Sequence, residues 1–160
     1  MKKKIVLATL LVASIILGIV LIFLVRTGGA AVKDITLKEN GVTREDLEFS
    51  VSGLYPGVSR EYTLNLRANS DAKYSIELEF TETKDGGLQN FIFVTVSCGD
   101  FSKEIPLSEL FNGRKIDLEC AVKSNAPTAI LIKFKMPQEV GNEAAGTYCD
   151  FRVSLSAESK

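Results

Sequence analysis

The chain contains no histidine. That absence removes the commonest general base and the commonest zinc ligand together. It excludes a His-Glu-x-x-His zinc hydrolase, a Ser-His-Asp triad and a Cys-His nucleophile. A basic stripe is missing too. With Lys2, Lys3, Lys4 and Arg26 set aside, 15 basic residues face 20 acidic ones beyond residue 26, a net charge of −5. Nothing there neutralises a phosphate backbone, so no nucleic-acid partner is expected. Carboxylates are plentiful, but Glu77, Glu79, Glu82 and Asp85 lack the regular loop spacing that gives calcium its roughly six to eight oxygens. Acids that alternate along a strand read as its solvated face. No metal, cofactor or catalytic residue is expected, and the chain is read as a non-enzyme. A hydrolase working through paired carboxylates alone ranks third among the readings.

Long apolar runs are limited to one. Ile5 to Val25 is 21 residues with only Thr9 and Ser14 polar, long enough to cross a bilayer as a single helix. Three lysines precede it and Arg26 alone follows, an asymmetry that keeps the N-terminus in the cytoplasm. No cysteine follows the run, as a lipoprotein would require, and no glutamate opens it, as a type IV pilin leader would. Small residues between Thr27 and Asp34 leave a cut leader as the alternative to a retained anchor, which the length of the run favours. The expected organisation is a cytoplasmic tip and transmembrane signal-anchor over 1–26, a short linker over 27–32 and one extracellular domain over 33–158. The chain is then a single-pass cell-membrane protein, or a secreted one if the leader is cut.

What fills the outer part is period-two alternation broken by Gly, Pro, Asn and Asp clusters, the pattern of an all-β sandwich of about eight strands. "REYTLNLRA" aligns Tyr62, Leu64 and Leu66. "YSIELEF" aligns Tyr74, Ile76, Leu78 and Phe80 against Glu77 and Glu79. "RKIDLECAV", "AILIKFKM" and "CDFRVSLSA" alternate in the same way, and "VKDITLK" and "DLEFSVS" supply two strands near the start. "FIFVTVSC" is nearly apolar throughout, as in a strand covered on both faces or central in its sheet. "PLSELF" (Pro106 to Phe111) is the one helical turn, opened by Pro106 and closed by Asn112-Gly113. "ETKDGGLQN" (Glu82 to Asn90) reads as a hairpin loop, because Asp85-Gly86-Gly87 suits a tight turn.

Cys98, Cys120 and Cys149 all fall on the apolar parity of their strands. An external domain allows one disulfide, with Cys98 to Cys120 slightly ahead and Cys149 as the alternative partner; three reduced core thiols are the other reading. "GNEAAGTYCDF" (Gly141 to Phe151) gathers Asn142, Glu143, Cys149 and Asp150, but no base or ligand set surrounds the thiol. Gly141-Asn142 and Gly146 are turn chemistry, and Asp150 alternates outward as Phe151 points in.

"MPQEVGNEAAGTYCDFRVSLSAES" resembles the C-terminal signature of the camelysin/TasA-like surface proteins of Gram-positive bacteria, a Gly-Asn-Glu loop before a final Asp-Phe-x-Val strand. "GLYPGVSREYTLNLRANSDAKYSIELEF" extends the likeness through Leu54-Tyr55-Pro56-Gly57 and Asn69-Ser70-Asp71-Ala72, and "IPLSELFNG" through the turn between, so that residues 53–157 are covered loosely. The resemblance implies a jelly-roll-like β-sandwich exported to the cell surface. Relatives there build matrix or biofilm fibres, some by donating an N-terminal strand to a neighbour. It also implies a metallopeptidase for one branch, which a chain without histidine lacks the zinc ligands to be. The family's leader ends in an aromatic-containing cleavage motif, whereas "RTGGAAVKD" stands here.

A non-enzymatic matrix or interaction protein of the cell envelope follows, acting through protein partners or self-assembly. The alternative is a membrane-anchored accessory subunit of an envelope or secretion complex. In Val32 to Gly41 only Ile35 and Leu37 form an apolar face, too small to hold the segment alone, which marks it as a strand for donation to a neighbour's open edge.

Overall fold

The computed structural model describes residues 31–39, 41–52 and 54–160. The expected cytoplasmic tip and transmembrane run lie outside the described residues, and among the described residues no helix is long and apolar enough to cross a membrane. The described residues form nine strands: β1 (Ala31–Thr36), β2 (Val42–Ser52), β3 (Ser59–Arg67), β4 (Ala72–Gly86), β5 (Phe93–Cys98), β6 (Phe101–Pro106), β7 (Ile116–Val122), β8 (Thr128–Lys135) and β9 (Tyr148–Ser159). A short helix, α1 (Leu107–Phe111), follows Pro106, which enters it with an extended backbone.

The strands make two sheets, one of five strands in the order β1-β3-β8-β5-β6 and one of four in the order β2-β9-β4-β7. Alternation explains why. Ile116, Leu118, Cys120 and Val122 of β7 are buried while Asp117 and Glu119 face water. Likewise Cys149, Phe151, Val153, Leu155 and Ala157 of β9 point inward. Each strand thus has one dry and one wet face, and two sheets close their dry faces on each other. Every pairing is antiparallel except β1 on β3, which is parallel.

The middle of the core is aromatic. Phe151 has ring centroids at 5.3 Å from Phe134, 5.5 Å from Phe49, 5.8 Å from Phe111 and 6.1 Å from Phe80. It therefore ties β9 to both sheets and to α1. Each such pair contributes about 0.5–1.5 kcal/mol beyond its buried area.

Three expectations need correction. The linker ends earlier than residue 32, because β1 begins at Ala31, and β9 runs on to Ser159. Strand β6 is a ninth strand that the alternation did not reveal: only Ile105 is fully buried, while Phe101 and Lys103 are half-buried at a sheet edge. Of the two readings of "FIFVTVSC", the one inside its sheet holds, with β5 between β8 and β6; Phe93, Thr95 and Ser97 face outward and Val94, Val96 and Cys98 inward. Finally, Glu82 to Asn90 is no hairpin loop. A bulge between Glu82 and Lys84 lets β4 keep pairing with β9, Lys84 opposite Asp150 and Gly86 opposite Tyr148. A 3-10 turn at Leu88–Phe91 then carries the chain to the other sheet.

Candidate functional site

The cysteines come first, as the residues with the most chemistry. Cys98 on β5 and Cys120 on β7 are joined by a disulfide that ties one sheet to the other. Cys149 is free and fully buried. Burial pushes its thiol up to about 12, and the charges of Glu82, Asp150 and Asp85 add to the effect. A thiol so reluctant to ionise is no nucleophile. Glu82 is also raised by burial, then by Asp85, and its Oε1 is buried without a hydrogen-bond partner. Asp150 points outward and accepts a hydrogen bond from the Ser50 hydroxyl at 2.7 Å, with Lys84 at 3.4 Å. Among the described residues no group of three or more carboxylates and thiols is arranged to hold a metal ion.

Strand β1 is the second region. Ile35 is 1% exposed and Leu37 2% exposed, both seated between the sheets of their own domain. The two side chains do not hold the segment alone. Six residues in parallel register with Tyr62 to Arg67, together with Asp34, supply the rest of the attachment. Asp34 accepts a hydrogen bond from the Asn65 amide at 2.9 Å and pairs with Arg67 at 3.3 Å. Those contacts, Asn65 first, hold its carboxyl below the usual range. Alongside the first residues of β1, a groove of about 310 Å³ opens between β1 and β3 of one sheet and β2 of the other, with Phe49 and Tyr62 in its lining. Val32 beside it is 61% exposed.

The third region lies at one end of the sandwich, where the β2–β3 loop meets the β8–β9 loop. A cleft of about 530 Å³ separates Leu54, Tyr55 and Pro56 on one side from the 141–148 segment on the other. Two backbone hydrogen bonds fix the base of the first loop to the second: Gly57 N–H donates to the Met136 carbonyl at 3.0 Å, and Met136 N–H to the Val58 carbonyl at 3.2 Å. Within the second loop, a 3-10 turn at Asn142–Ala144 is closed by the Thr147 hydroxyl, which donates to the Ala144 carbonyl at 2.7 Å. Two tyrosines flank the cleft, Tyr55 at 69% exposure and Tyr148 at 44%. "GNEAAGTYCDF" is thus turn chemistry that also builds a wall. Sequence reasoning missed both tyrosines as surface features. Each stands beside turn residues, but nothing in either segment shows that the two meet.

No family model matches the chain, and no curated protein matches it. Among solved structures, PliG of Aeromonas hydrophila, a periplasmic inhibitor of g-type lysozyme, is 9% identical, covering 81% of this chain and 100% of that one with a TM-score of 0.36. The pre-peptidase C-terminal domain of collagenase from Bacillus anthracis is 14% identical, covering 81% and 97% with a TM-score of 0.33. FlhE is 13% identical, covering 71% and 94% with a TM-score of 0.32. At these values the likeness does not extend to function.

Proposed function

We propose that this chain is a non-enzymatic structural and interaction protein of the cell envelope, related to the camelysin/TasA-like surface proteins and built as a jelly roll. The strand order supports the fold: β2-β9-β4-β7 faces β3-β8-β5-β6, with β1 added at the edge, and all but one of the connections cross between sheets. The missing histidine and the protonated Cys149 argue against catalysis. The apolar run at Ile5 to Val25 supports a membrane anchor, with the sandwich outside the cell.

One observation carries the assembly role: β1 is a short parallel edge strand that, with the residue after it, fills its own sandwich with two side chains, Ile35 and Leu37. The same insertion can be made into a second copy, with identical main-chain pairing to β3, so exchange costs no contact. A test uses full-length chains that each carry one new cysteine, Asp34→Cys in one population and Asn65→Cys in the other. These positions are partners across β1 and β3 and both face solvent. Mixed disulfides between the populations, growing with concentration, are expected. A crosslink that forms only when both cysteines sit in one chain sinks the assembly reading.

The second reading, a membrane-anchored accessory subunit, is favoured by β2, whose 11 residues pair on one side only. An extended segment of a protein partner could add there as a further strand.

A further inference from the structure

The tyrosine cleft at the end of the sandwich plays no part in strand exchange. We propose that it is a binding site for a neutral saccharide, a short chain of uncharged hexose or N-acetylhexosamine units. The charge pattern carries the choice of ligand. In a chain that is 24% charged, no residue lining the cleft is acidic or basic. Neither loop contains a lysine or arginine from Leu54 to Val58 or from Met136 to Tyr148. Outside the cleft, Glu139 and Glu143 are exposed on the second loop. An anionic polymer is repelled, and a basic peptide finds no carboxylate within the cleft, so an uncharged ligand is the one the walls match.

The shape and chemistry agree with a sugar ring. A pyranose has an apolar C–H face and a rim of hydroxyls, the complement of a tyrosine, which has an apolar body and a polar tip. Tyr55 and Tyr148 supply two such rings. Ala145 and Gly146 leave the floor between them low, and the Asn142 side chain offers both a donor and an acceptor for hydroxyls. The volume of about 530 Å³ falls in the range of small-ligand clefts. The site is also built in advance. The ring of Tyr148 rests directly on the backbone of Gly86, and the Tyr55 turn is closed by Val58 N–H donating to the Tyr55 carbonyl at 2.9 Å. A ring held before the ligand arrives, as that of Tyr148 is, loses little freedom when it binds.

The chain has no tryptophan and four tyrosines. Of these, Tyr74 is fully buried and Tyr62 half-buried, so a change in tyrosine fluorescence on adding a sugar arises mainly from the two exposed rings of this cleft. The test titrates the full-length chain, in a detergent without a sugar headgroup, with N-acetylglucosamine tetramer, cellohexaose and maltohexaose. Polygalacturonate and an oligolysine peptide serve as charged probes. Saturable binding of at least one neutral oligosaccharide in the millimolar range or tighter is expected. It should be weakened about tenfold by Tyr55→Ala and by Tyr148→Ala, and much less by Tyr148→Phe, which keeps the stacking ring. Tyr55 lies outside every strand, so circular dichroism and the thermal midpoint of Tyr55→Ala should match the parent and keep the result readable. Absence of saturation by all three sugars overturns the proposal. So does binding that ignores both alanine substitutions, or tyrosine-dependent binding of oligolysine alone. Strand exchange between copies is read in a separate assay and can fail or succeed independently.

Discussion

Tyr148 sits so close to Gly86 that a methyl group on Gly86 would stand 2.3 Å from the Tyr148 carbonyl oxygen and 2.6 Å from its ring Cδ1. The two residues are cross-strand partners at the end of the β4–β9 ladder, just past the bulge. The obstacle is backbone as well as ring, so a side chain there cannot be accommodated by a rotamer change. Gly86→Ala should therefore destabilise the domain by about 1–3 kcal/mol, the usual cost of overpacking. Urea denaturation of the variant should show a lower midpoint with an unchanged slope, and equal midpoints would refute this close approach.

The disulfide gives a second expectation. Cys98 and Cys120 are separated by 22 residues, and closing a loop of that length stabilises by about 3 kcal/mol in the chain-entropy account. The double variant Cys98→Ala/Cys120→Ala, or the parent under reductant, should unfold at correspondingly lower denaturant. Midpoints that do not respond to reductant would mean that the bond adds nothing.

Cys149 should behave as an inert thiol. With its pKa pushed up to about 12 by burial, it should resist iodoacetamide at pH 8 for as long as the domain stays folded, and react at once in denaturant. Rapid alkylation of the native protein, read by intact mass, would show that the end of the sandwich opens.

Two opposite pH effects are expected. Asp34, Asp71, Asp85, Glu119 and Asp150 are all held below the usual range by hydrogen bonds, the largest from Asn65, Ser124, Gln89, Lys160 and Ser50 respectively. Groups lowered on folding add stability above their unfolded values and lose it as pH falls through the folded ones, so the domain should weaken below about pH 4. Glu82 runs the other way. Burial raises it, so its contribution is present at low pH and is lost as pH rises through the raised value. Glu82→Gln should therefore raise the thermal midpoint at pH 7 and lose that advantage below about pH 4. An advantage of the same size at both pH values would contradict the assignment.

Much of the fold could be read from alternation because each strand has one wet face. Ile130, Ile132, Phe134 and Met136 are inward as their spacing requires. Strand β6 escaped because an edge position asks for only one fully buried residue, Ile105, although Gly99-Asp100 is a two-residue turn of the kind that joins hairpins. The bulge at Glu82–Lys84 escaped because Asp85-Gly86-Gly87 has the composition of a tight turn, while pairing to a strand more than sixty positions away decided otherwise. The tyrosine cleft could not be read at all. Tyr55 and Tyr148 come together only when the sheets stack, and each local segment carries turn chemistry and nothing more.

The place of β9 governs how this domain can be made. It is the last of the described strands, yet it lies between β2 and β4 and is the partner of β2 in the four-stranded sheet. Its contacts with β2 span great sequence distances, as with the Ser154 hydroxyl that donates to Asp46 across 108 residues. Until β9 has emerged from the ribosome, β2 has nothing in its sheet to pair with, and the sandwich cannot close. Closure of such distant contacts is slow. A nascent chain therefore stays open until β9 has emerged, with the edges of β2 and β4 that it covers exposed to whatever extended strand comes first.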